Sequence, residues 1–272
     1  MDAKEIRTKI LAFFTNKGGN SLPDGKQFFD EPLVGFADAD DPLFDEYKTI
    51  IGNFHRKPRE ILAEAKTVIV WVLPISGVAR QSNRLEKEFP SLEWAWTRLK
   101  GEDFNVSLRH HVIALLWEQG FLAEAPQLQE SWKLVQDPVV GVASTWSERH
   151  AAYAAGLGTF GLSDSLITLR GSAHRLGSVV TNLCISPTPR PYSHHKEYCL
   201  HFRGAKCDAC ARRCPVGAIT AEGHNKQKCR EHVFGSRTMA LYGLGSSSCG
   251  FCQTGVPCEA RVPKIPHQAD AP

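Results

Sequence analysis

The pattern of apolar and polar positions near the start of the chain is helical. Over about residues 3–16 the apolar side chains recur every three or four positions, which predicts an amphipathic helix. The pair Gly18-Gly19 predicts the end of that helix. From there to about residue 58 the period is lost among prolines and acidic residues, so we expect a long irregular surface segment. The apolar face of the helix consists of Ile6, Ile10, Phe13 and Phe14.

An uninterrupted run of apolar and β-branched residues marks the first core strand. This run, 67–73, predicts a buried central strand, and a short helix over 59–65 leads into it. A second helix is predicted to begin with Ser107 as its N-cap and to end with Gly120 as its C-cap. A strand near 121–125 is expected to follow.

In the next part of the chain, segments with the period of a helix alternate with segments that have the pattern of a strand. The pattern predicts a helix over 147–155, a tight glycine turn over 156–161, and a β-hairpin formed by 165–169 with 176–183. Helices and strands that alternate in this way predict the α/β or α+β fold class.

Composition and charge bound the domain organisation and the partners. Three prolines between 187 and 191 predict a linker, so we expect a larger domain over 1–190 and a smaller one over 191–272. The net charge of +3 is small and basic residues are scattered among acidic ones, which argues against nucleic-acid binding. The longest apolar run, 67–75, is too short to span a membrane. The charged amino-terminal segment lacks the apolar stretch of a secretory signal, so we expect a protein of the reducing cytoplasm.

The cysteines carry the clearest chemical signal. Eight of the nine lie between residues 199 and 258, and a [4Fe-4S] cluster needs four thiolates, one for each iron, so the eight divide into two sets. In two-cluster ferredoxins the cysteine before a proline ligates the other cluster, so we assign Cys214 away from Cys207 and Cys210. The candidate ligands are Cys199, Cys207, Cys210, Cys214, Cys229, Cys249, Cys252 and Cys258.

One position departs from the ferredoxin spacing. The run C-x2-C-x2-C-x3-C-P would require a cysteine at position 204, where this chain has Gly204. Cys199 is the available substitute, and His201 is a weaker candidate ligand. The C-x2-C pairs also suit zinc, but the Cys-Pro step followed by small residues favours iron-sulfur, and a disulfide framework is typical of small secreted domains. The ninth cysteine, Cys184, is predicted to be a buried core thiol.

A glycine motif lies before the cysteine region. Gly156, Gly158 and Gly161 match the G-x-G-x-x-G spacing of dinucleotide sites. A dinucleotide fingerprint follows a strand and opens a helix, whereas this motif follows a predicted helix and leads into predicted strands. The context therefore favours another cofactor or a structural turn.

Several segments together resemble epoxyqueuosine reductases and the related reductive dehalogenases. The segments are 65–74, 148–149, 154–161, 165–168 and 175–183, followed by the cysteine order. The resemblance implies a nitroreductase-like α/β domain that holds a cobalamin, followed by a ferredoxin-like domain whose nearer cluster reduces the cobalt. It also implies two ligand sets, one of Cys199, Cys207, Cys210 and Cys258 and the other of Cys214, Cys229, Cys249 and Cys252.

The same resemblance implies which residues line the corrin ring. Glycine lets a backbone approach a large flat macrocycle closely, so the glycine turn and the segment after it would face the cobalamin. The implied cofactor-binding residues are Gly156, Leu157, Gly158, Phe160, Gly161, Ser165, Thr168 and Arg175.

Two departures from the family bear on the substrate. Epoxyqueuosine reductases carry an acidic proton donor in a Val-Asp-Ser sequence, where this chain has Gly141-Val142-Ala143, and a helical-repeat domain follows their clusters, whereas this sequence reaches Pro272 without one. We therefore expect a substrate other than epoxyqueuosine. Tyr153 and Glu148, with His150 beside them, are the remaining candidate proton donors. The structural alternatives are an ion pair of Glu148 with Arg149 at the helix start, and a core tyrosine.

Three functions follow from these observations. The first is a reductase that passes electrons through two clusters to a cobalamin and reduces an unidentified small molecule. The second is a protein that reduces or handles a corrinoid as its client, and the third is a ferredoxin-type electron carrier without cobalamin. In each case we expect an electron donor such as ferredoxin or flavodoxin, which the local basic cluster of Arg203, Lys206, Arg212 and Arg213 would suit.

Overall fold

The computed structural model describes residues 1–16, 19–244 and 248–265. Its helices are α1 (Ala3–Asn16), α2 (Leu43–Ile50), α3 (Pro58–Ile61), α4 (Gly77–Leu85), α5 (Leu92–Glu118), α6 (Glu148–Ala154), α7 (Ala209–Arg213), α8 (Lys226–Val233) and α9 (Ser236–Ala240). Its strands are β1 (Leu33–Asp38), β2 (Thr67–Pro74), β3 (Ala123–Glu124), β4 (Leu134–Asp137), β5 (Gly141–Ser144), β6 (Gly158–Phe160), β7 (Leu166–Thr168), β8 (His174–Thr181), β9 (Ile219–Thr220) and β10 (Gly223–His224). Short 3-10 turns connect several of them. Among the described residues, no helix is both long enough and apolar enough to cross a bilayer.

The chain forms two compact units that are not contiguous in sequence. The first, called the sheet unit, comprises Met1–Gly77, Trp96–Leu157 and His174–Pro191. The second, called the cysteine unit, comprises Val78–Ala95, Gly158–Ala173 and Tyr192–Pro272. The boundary between Pro191 and Tyr192 lies beside the predicted linker. The cysteine unit also contains Val78–Ala95 and Gly158–Ala173, which the sequence prediction placed in the first domain.

The sheet unit is built around a four-stranded antiparallel sheet in the order β1-β2-β8-β3. All eight residues of β2 are buried, which confirms the prediction of a central strand, because a strand with neighbours on both sides and covered faces carries no polar alternation. Trp71 of β2 lies opposite Gly177 of β8, and a Cβ at Gly177 would stand 2.6 Å from the Trp71 ring. Only glycine leaves room for this buried indole.

Two predicted helices have their counterparts in the sheet unit. Helix α1 covers the predicted range and buries the apolar face formed by Ile6, Ile10, Phe13 and Phe14, while its predicted stop at Gly18 lies outside the described residues. Helix α6 begins after Ser147, as its pattern predicted. In both cases a local period is enough, because one turn of helix repeats the buried face.

The prediction of an irregular segment between the first helix and residue 58 was wrong. Strand β1 and the helices α2 and α3 all lie there or begin there. Of the prolines that suggested a loop, Pro42 is the N-cap of α2 and Pro32 directly precedes β1. Pro58 is likewise the first residue of α3. Proline suits the first turn of a helix because its missing N–H would have no partner there.

The predicted start of the long helix was also wrong. Helix α5 begins at Leu92, and Ser107 lies inside it, where its hydroxyl donates to the carbonyl of Asp103 at 3.0 Å. A serine can satisfy its hydroxyl within a helix in this way, so its capping preference does not decide the boundary. The predicted end is close, because Gly120 follows α5 with a left-handed φ of 79°.

The predicted hairpin of 165–169 with 176–183 was wrong in its pairing. Strand β7 pairs with β6, with Gly158 opposite Thr168, and β8 pairs with β2 and β3 instead. The predicted glycine turn is correspondingly only partly a turn. Gly156 has a left-handed φ of 76°, whereas the residues from Gly158 to Phe160 are a strand.

Buried His55 is expected to make the stability of the sheet unit depend on pH. Its Nε2 accepts from the backbone N–H of Ser147 at 3.1 Å, and its ring stacks on Trp146 with centroids 5.9 Å apart. Burial, with a smaller effect of Lys48, lowers the pKa of His55 from 6.5 to about 4. Between those values the unfolded chain binds a proton that the folded chain does not, so the free energy of unfolding falls as the pH falls, by about 2–3 kcal/mol in all.

Urea unfolding followed by tryptophan fluorescence between pH 7 and pH 4 measures this slope. His55→Gln keeps a hydrogen-bond acceptor without a titrating ring, so we expect its slope to be shallower than that of the wild type. His110 is exposed on α5, and His110→Gln is the matched control that should leave the slope unchanged. Equal slopes in the wild type and in His55→Gln would contradict the assignment.

Candidate metal centre

The eight candidate ligand cysteines lie in the cysteine unit and interact as two groups. The thiol of Cys210 interacts electrostatically with Cys258, Cys199 and Cys207. The thiol of Cys249 interacts with Cys229 and Cys214. That of Cys252 interacts most strongly with Cys249 and Cys229, then with Cys210 of the other group, and then with Cys214. We call these groups the first quartet (Cys199, Cys207, Cys210 and Cys258) and the second quartet (Cys214, Cys229, Cys249 and Cys252).

All four thiols of the first quartet line one shared cavity. The irregular member, Cys199, is buried and precedes a 3-10 turn, Leu200–Arg203, which ends at Gly204 with a left-handed φ of 78°. This turn shortens the segment between Cys199 and Cys207, and it brings the Cys199 thiol to the other three thiols of the first quartet. His201, the weaker candidate ligand, lies with its Nδ1 3.2 Å from the carbonyl oxygen of Cys207. That contact engages the ring within the loop.

Burial decides the protonation of the first quartet in the absence of a metal. It raises the pKa of Cys210 to about 12 and that of Cys258 to about 11, although the Ser172 hydroxyl, which donates to the Cys258 sulfur at 3.7 Å, acts in the opposite direction. A thiol with such a pKa stays protonated at neutral pH. Binding of a metal by Cys210 and Cys258 as thiolates would therefore release their protons.

In the second quartet two ligands are held by their own segments. The sulfur of Cys214 accepts from the backbone N–H of Ala218 at 3.2 Å, which the left-handed Gly217 (φ 59°) makes possible. This turn follows the Cys-Pro step that favoured iron-sulfur in the sequence analysis. Cys229 lies on α8, whose N-cap Asn225 accepts from the backbone N–H of Lys228 at 2.9 Å.

The other two ligands of the second quartet lie on a loop. Burial raises the pKa of Cys252, and it raises the pKa of Cys249 to about 11. His224 contacts Cys229, and its Nδ1 lies 3.2 Å from a carboxylate oxygen of Asp164. Burial lowers the pKa of His224, but the contacts with Asp164 and Cys229 outweigh burial and raise the pKa to about 9.

A buried asparagine from the first third of the chain organises the loop that carries Cys249 and Cys252. The side chain of Asn83 is fully buried, and its Nδ2 donates to the carbonyl of Cys249 at 3.1 Å and to the hydroxyl of Thr254 at 3.0 Å. Its Oδ1 accepts from the backbone N–H of Ser91 at 3.0 Å. Sequence reasoning missed Asn83, because nothing local distinguishes this residue from any polar residue on a helix.

A buried carboxylate plays the corresponding part beside Cys258. Glu259 accepts two hydrogen bonds from Arg84, at 2.7 and 2.6 Å, and one from the backbone N–H of Gly255 at 2.7 Å. A Cβ at Gly171 would stand 2.2 Å from the Glu259 carbonyl oxygen, so a glycine is required there. The position of Glu259 directly after a candidate ligand was the only available signal, and it did not reveal the distant partner.

The donor set fits a four-iron cluster better than a single ion. Among the described residues, no three histidine, cysteine or acidic side chains converge as the ligands of one metal ion would. A [4Fe-4S] cluster binds one thiolate at each iron, so it asks for four thiols around a shared space rather than at one point. The first quartet around its cavity has this arrangement.

The residues that the resemblance assigned to the corrin are engaged within the protein. In the sheet unit, a Cβ at Gly156 would stand 2.6 Å from the Pro189 carbonyl oxygen, and Leu157 is buried. Arg175 there is paired with Glu102 at 3.2 Å, and burial lowers the pKa of Arg175 to about 9. These contacts account for Gly156 and Leu157, whereas the Nε of Arg175 is buried without a hydrogen-bond partner.

The assigned residues of the cysteine unit have similar explanations. A Cβ at Gly158 would stand 2.2 Å from the Ile167 carbonyl oxygen, and the Thr168 hydroxyl donates to Gly171 at 2.9 Å. Gly161 and Ser165 line the cavity of the first quartet, while Phe160 is half-buried in β6. No unpaired buried polar group of these residues points to a corrin, so the described contacts do not by themselves fit one.

The candidate proton donors lie on α6 of the sheet unit. Glu148 pairs with Arg109 of α5, at 3.4 Å. Burial raises the pKa of Glu148, while the positive charge of Arg109 and a hydrogen bond with Ser178 act in the opposite direction. Tyr153 is half-buried near the end of the same helix.

Asp137 and Cys184 remain to be placed. Asp137 is the acid closest in sequence to the position where the family has its proton donor, but its carboxylate accepts from the backbone N–H groups of Val139 and Val140 at 2.8 and 3.0 Å. These bonds lower the pKa of Asp137, so its carboxylate stabilises the turn as an acceptor and is poorly suited to donate a proton.

Cys184, predicted to be buried, is exposed, because it follows the end of β8 rather than continuing into the core.

The mixed α/β fold is that of epoxyqueuosine reductases and reductive dehalogenases, and the similarity extends over nearly the whole chain. The epoxyqueuosine reductase from Streptococcus thermophilus matches with a TM-score of 0.55 and 18% identity, over 99% of this chain and 70% of that chain. The Bacillus subtilis enzyme, with its catalytic loop swung out of the active site, matches with a TM-score of 0.50 and 16% identity over 96% of this chain and 69% of that chain.

A catabolic reductive dehalogenase in complex with 3-bromo-4-hydroxybenzoic acid matches with a TM-score of 0.52 and 15% identity, over 96% of this chain and 37% of that chain. No protein-family model and no curated protein sequence matches this chain. At these identities the likenesses establish the fold, and the site's own residues must carry any statement about function.

Proposed function

We propose that this protein is an iron-sulfur oxidoreductase that passes electrons through two [4Fe-4S] clusters to a cobalamin and so reduces a small organic substrate. The observation that carries the proposal is that all eight cysteines lie in one unit, where four of them line a single shared cavity. A [4Fe-4S] cluster supplies one-electron transfer when it is bound. The protein's part is to hold eight thiolates, to keep them from water and to set their electrostatic surroundings.

The two quartets would hold one cluster each. Cys199, Cys207, Cys210 and Cys258 would bind the first, around the cavity that they share, and Cys214, Cys229, Cys249 and Cys252 would bind the second. Burial raises the pKa of four of these thiols, Cys210, Cys249, Cys252 and Cys258, and solvent exposure is one of the factors that set the potential of a bound cluster. Asn83 and Glu259 hold the loops that carry Cys249 and Cys258, so each quartet has a rigid support.

The cobalamin is supported by the fold and by the resemblance of the sequence segments, not by the contacts of Gly156, Gly158, Thr168 and Arg175. Those internal contacts favour a second candidate, an electron-transfer protein of the ferredoxin type that holds no corrin. A third candidate is a protein that binds a corrinoid as its client and reduces or handles it, without using it to reduce another substrate. We also propose a ferredoxin or flavodoxin as the electron donor.

Anaerobic reconstitution with iron and sulfide, followed by titration with cobalamin, tests the proposal. We expect about eight irons and eight sulfides per chain. Binding of the corrin should change its visible spectrum and the EPR signal of its cobalt. Two clusters without any corrin binding would favour the electron carrier, and about four irons per chain would contradict the two-cluster arrangement.

Cysteine variants provide the control for this experiment. Cys199→Ser should lower the iron content by about half, because it removes one ligand of the first quartet only. Cys184→Ser is the matched variant, since this exposed thiol belongs to neither quartet and its loss should leave the iron content unchanged. If Cys199→Ser retains both clusters, another residue is the fourth ligand of the first quartet.

A further inference from the structure

The guanidinium of Arg213 is held firmly without being neutralised. Its Nε donates to the carbonyl of Thr254 at 3.1 Å, its Nη1 to that of Glu86 at 2.9 Å and its Nη2 to that of Asn83 at 3.0 Å. The guanidinium carbon also lies 4.8 Å from the centroid of the Phe251 ring. These acceptors are neutral carbonyls and an aromatic face, so the contacts fix the cation in place and leave its positive charge uncompensated.

This charge is directed at the second quartet. Arg213 directly precedes Cys214, and its partners Phe251 and Thr254 lie on the loop that carries Cys249 and Cys252. In agreement with this placement, the positive charge of Arg213 is among the causes that lower the pKa of Cys249, against the larger effect of burial. The cation therefore acts on a cluster bound there at short range.

The first quartet has a different electrostatic neighbourhood. The residue after Cys258 is Glu259, whose charge is already matched by Arg84 at 2.6 Å. Lys206, which precedes Cys207, is exposed to water, where its field is screened. The group that touches a first-quartet sulfur is the neutral hydroxyl of Ser172.

We propose that Arg213 makes the two clusters unequal, by raising the reduction potential of the cluster at the second quartet above that of the cluster at the first quartet. This inference rests on the proposed function, since it requires both clusters. Reduction adds one electron to a cluster that four thiolates already make negative, and a fixed cation stabilises the added charge. The second-quartet cluster is then the one that an external donor reduces more easily, and Arg213 contributes to the difference alongside His224, which contacts Cys229.

The test is an EPR-monitored redox titration of the reconstituted full chain. In the wild type we expect two midpoint potentials, the higher one belonging to the second quartet. Cys214→Ser and Cys258→Ser assign them, because each substitution alters the signal of its own cluster. In Arg213→Gln the higher potential should move towards the lower one, while the lower potential stays in place.

Two further variants separate charge from structure. Arg212→Gln is the matched control, because Arg212 is the neighbouring arginine but is 69% exposed and paired with Asp208, so its loss should shift neither potential. Arg213→Lys keeps the positive charge but cannot make all three hydrogen bonds of the guanidinium. This variant should therefore keep most of the difference between the two reduction potentials, even if the protein becomes less stable.

Several outcomes would overturn the inference. They are a wild type whose clusters titrate together or in the reverse order, an Arg213→Gln protein with about eight irons and unchanged potentials, and an equal shift in Arg212→Gln. If Arg213→Gln does not hold its iron, the order in the wild type and the potentials of Arg213→Lys decide the question. A wild type with only one cluster would refute the proposed function and this inference together, and the iron content reveals that case separately.

Discussion

Replacing Arg109 by methionine is expected to lower the free energy of unfolding of the sheet unit by about 3–5 kcal/mol. Arg109 is 1% exposed, and its guanidinium donates to Glu102 at 2.9 Å, to Gln127 at 2.6 Å and to the carbonyl of Leu176 at 3.2 Å. It also lies 3.4 Å from Glu148. The substitution leaves the carboxylate of Glu148 without its cation and the amide oxygen of Gln127 without its donor, while the Leu176 carbonyl keeps a hydrogen bond from Asn105. An uncompensated buried charge is among the most destabilising defects in a protein.

Urea unfolding followed by tryptophan fluorescence gives the measurement. Glu148→Gln removes the charge that Arg109 compensates, so the double variant Arg109→Met/Glu148→Gln should lose less than the two single losses added together. Arg149→Met is the matched control, because Arg149 is exposed on the same helix, and we expect a change within about 0.5 kcal/mol. A loss in Arg149→Met as large as that in Arg109→Met would favour a pairing of Glu148 with Arg149 instead.

Replacing Asn83 by alanine is expected to cost at least about 3 kcal/mol and to release the second cluster selectively. The substitution leaves the carbonyl of Cys249, the hydroxyl of Thr254 and the N–H of Ser91 without the partner that Asn83 supplies. Each buried group that loses its partner costs roughly 1–3 kcal/mol. Because two of the three lie on the ligand loop of the second quartet, that loop should lose its position first.

Iron analysis and EPR of the reconstituted variant provide the measurement for Asn83. We expect the signal of the second-quartet cluster to weaken while that of the first-quartet cluster persists. Asn53→Ala is the control, since Asn53 is exposed and its substitution should change neither signal. Equal loss of both clusters would show that Asn83 supports the cysteine unit in general and not this loop.

The success of the sequence predictions depended on how local the deciding interactions were. Helix α1 and strand β2 were predictable because each buries a face or a run that its own residues define. The pairing of β8 was not predictable, because β7 and β8 are both apolar and only the tertiary structure selects which strand joins β2. The start of α5 was missed because a serine such as Ser107, which often caps a helix, can also lie inside one when its hydroxyl bonds to a carbonyl of the preceding turn.

The candidate site shows the same division. The number of cysteines and the Cys-Pro step after Cys210 indicated two four-thiol sites from chemistry and spacing alone, since a cluster requires a fixed number of thiolates. The tertiary structure added the 3-10 turn that brings Cys199 to its quartet. It also showed that Glu148 belongs to a buried ion pair with Arg109 and that Gly156 and Gly158 meet the protein's own backbone.

By itself, the sequence of this protein determined that eight thiols are available for two clusters and that a mixed α/β fold surrounds a buried strand. Only the tertiary structure decided what supports each quartet. Asn83 and Cys249 are 166 positions apart, and Arg84 and Glu259 are 175 apart. No local period or spacing rule connects residues at such separations, because their contact depends on how whole segments pack.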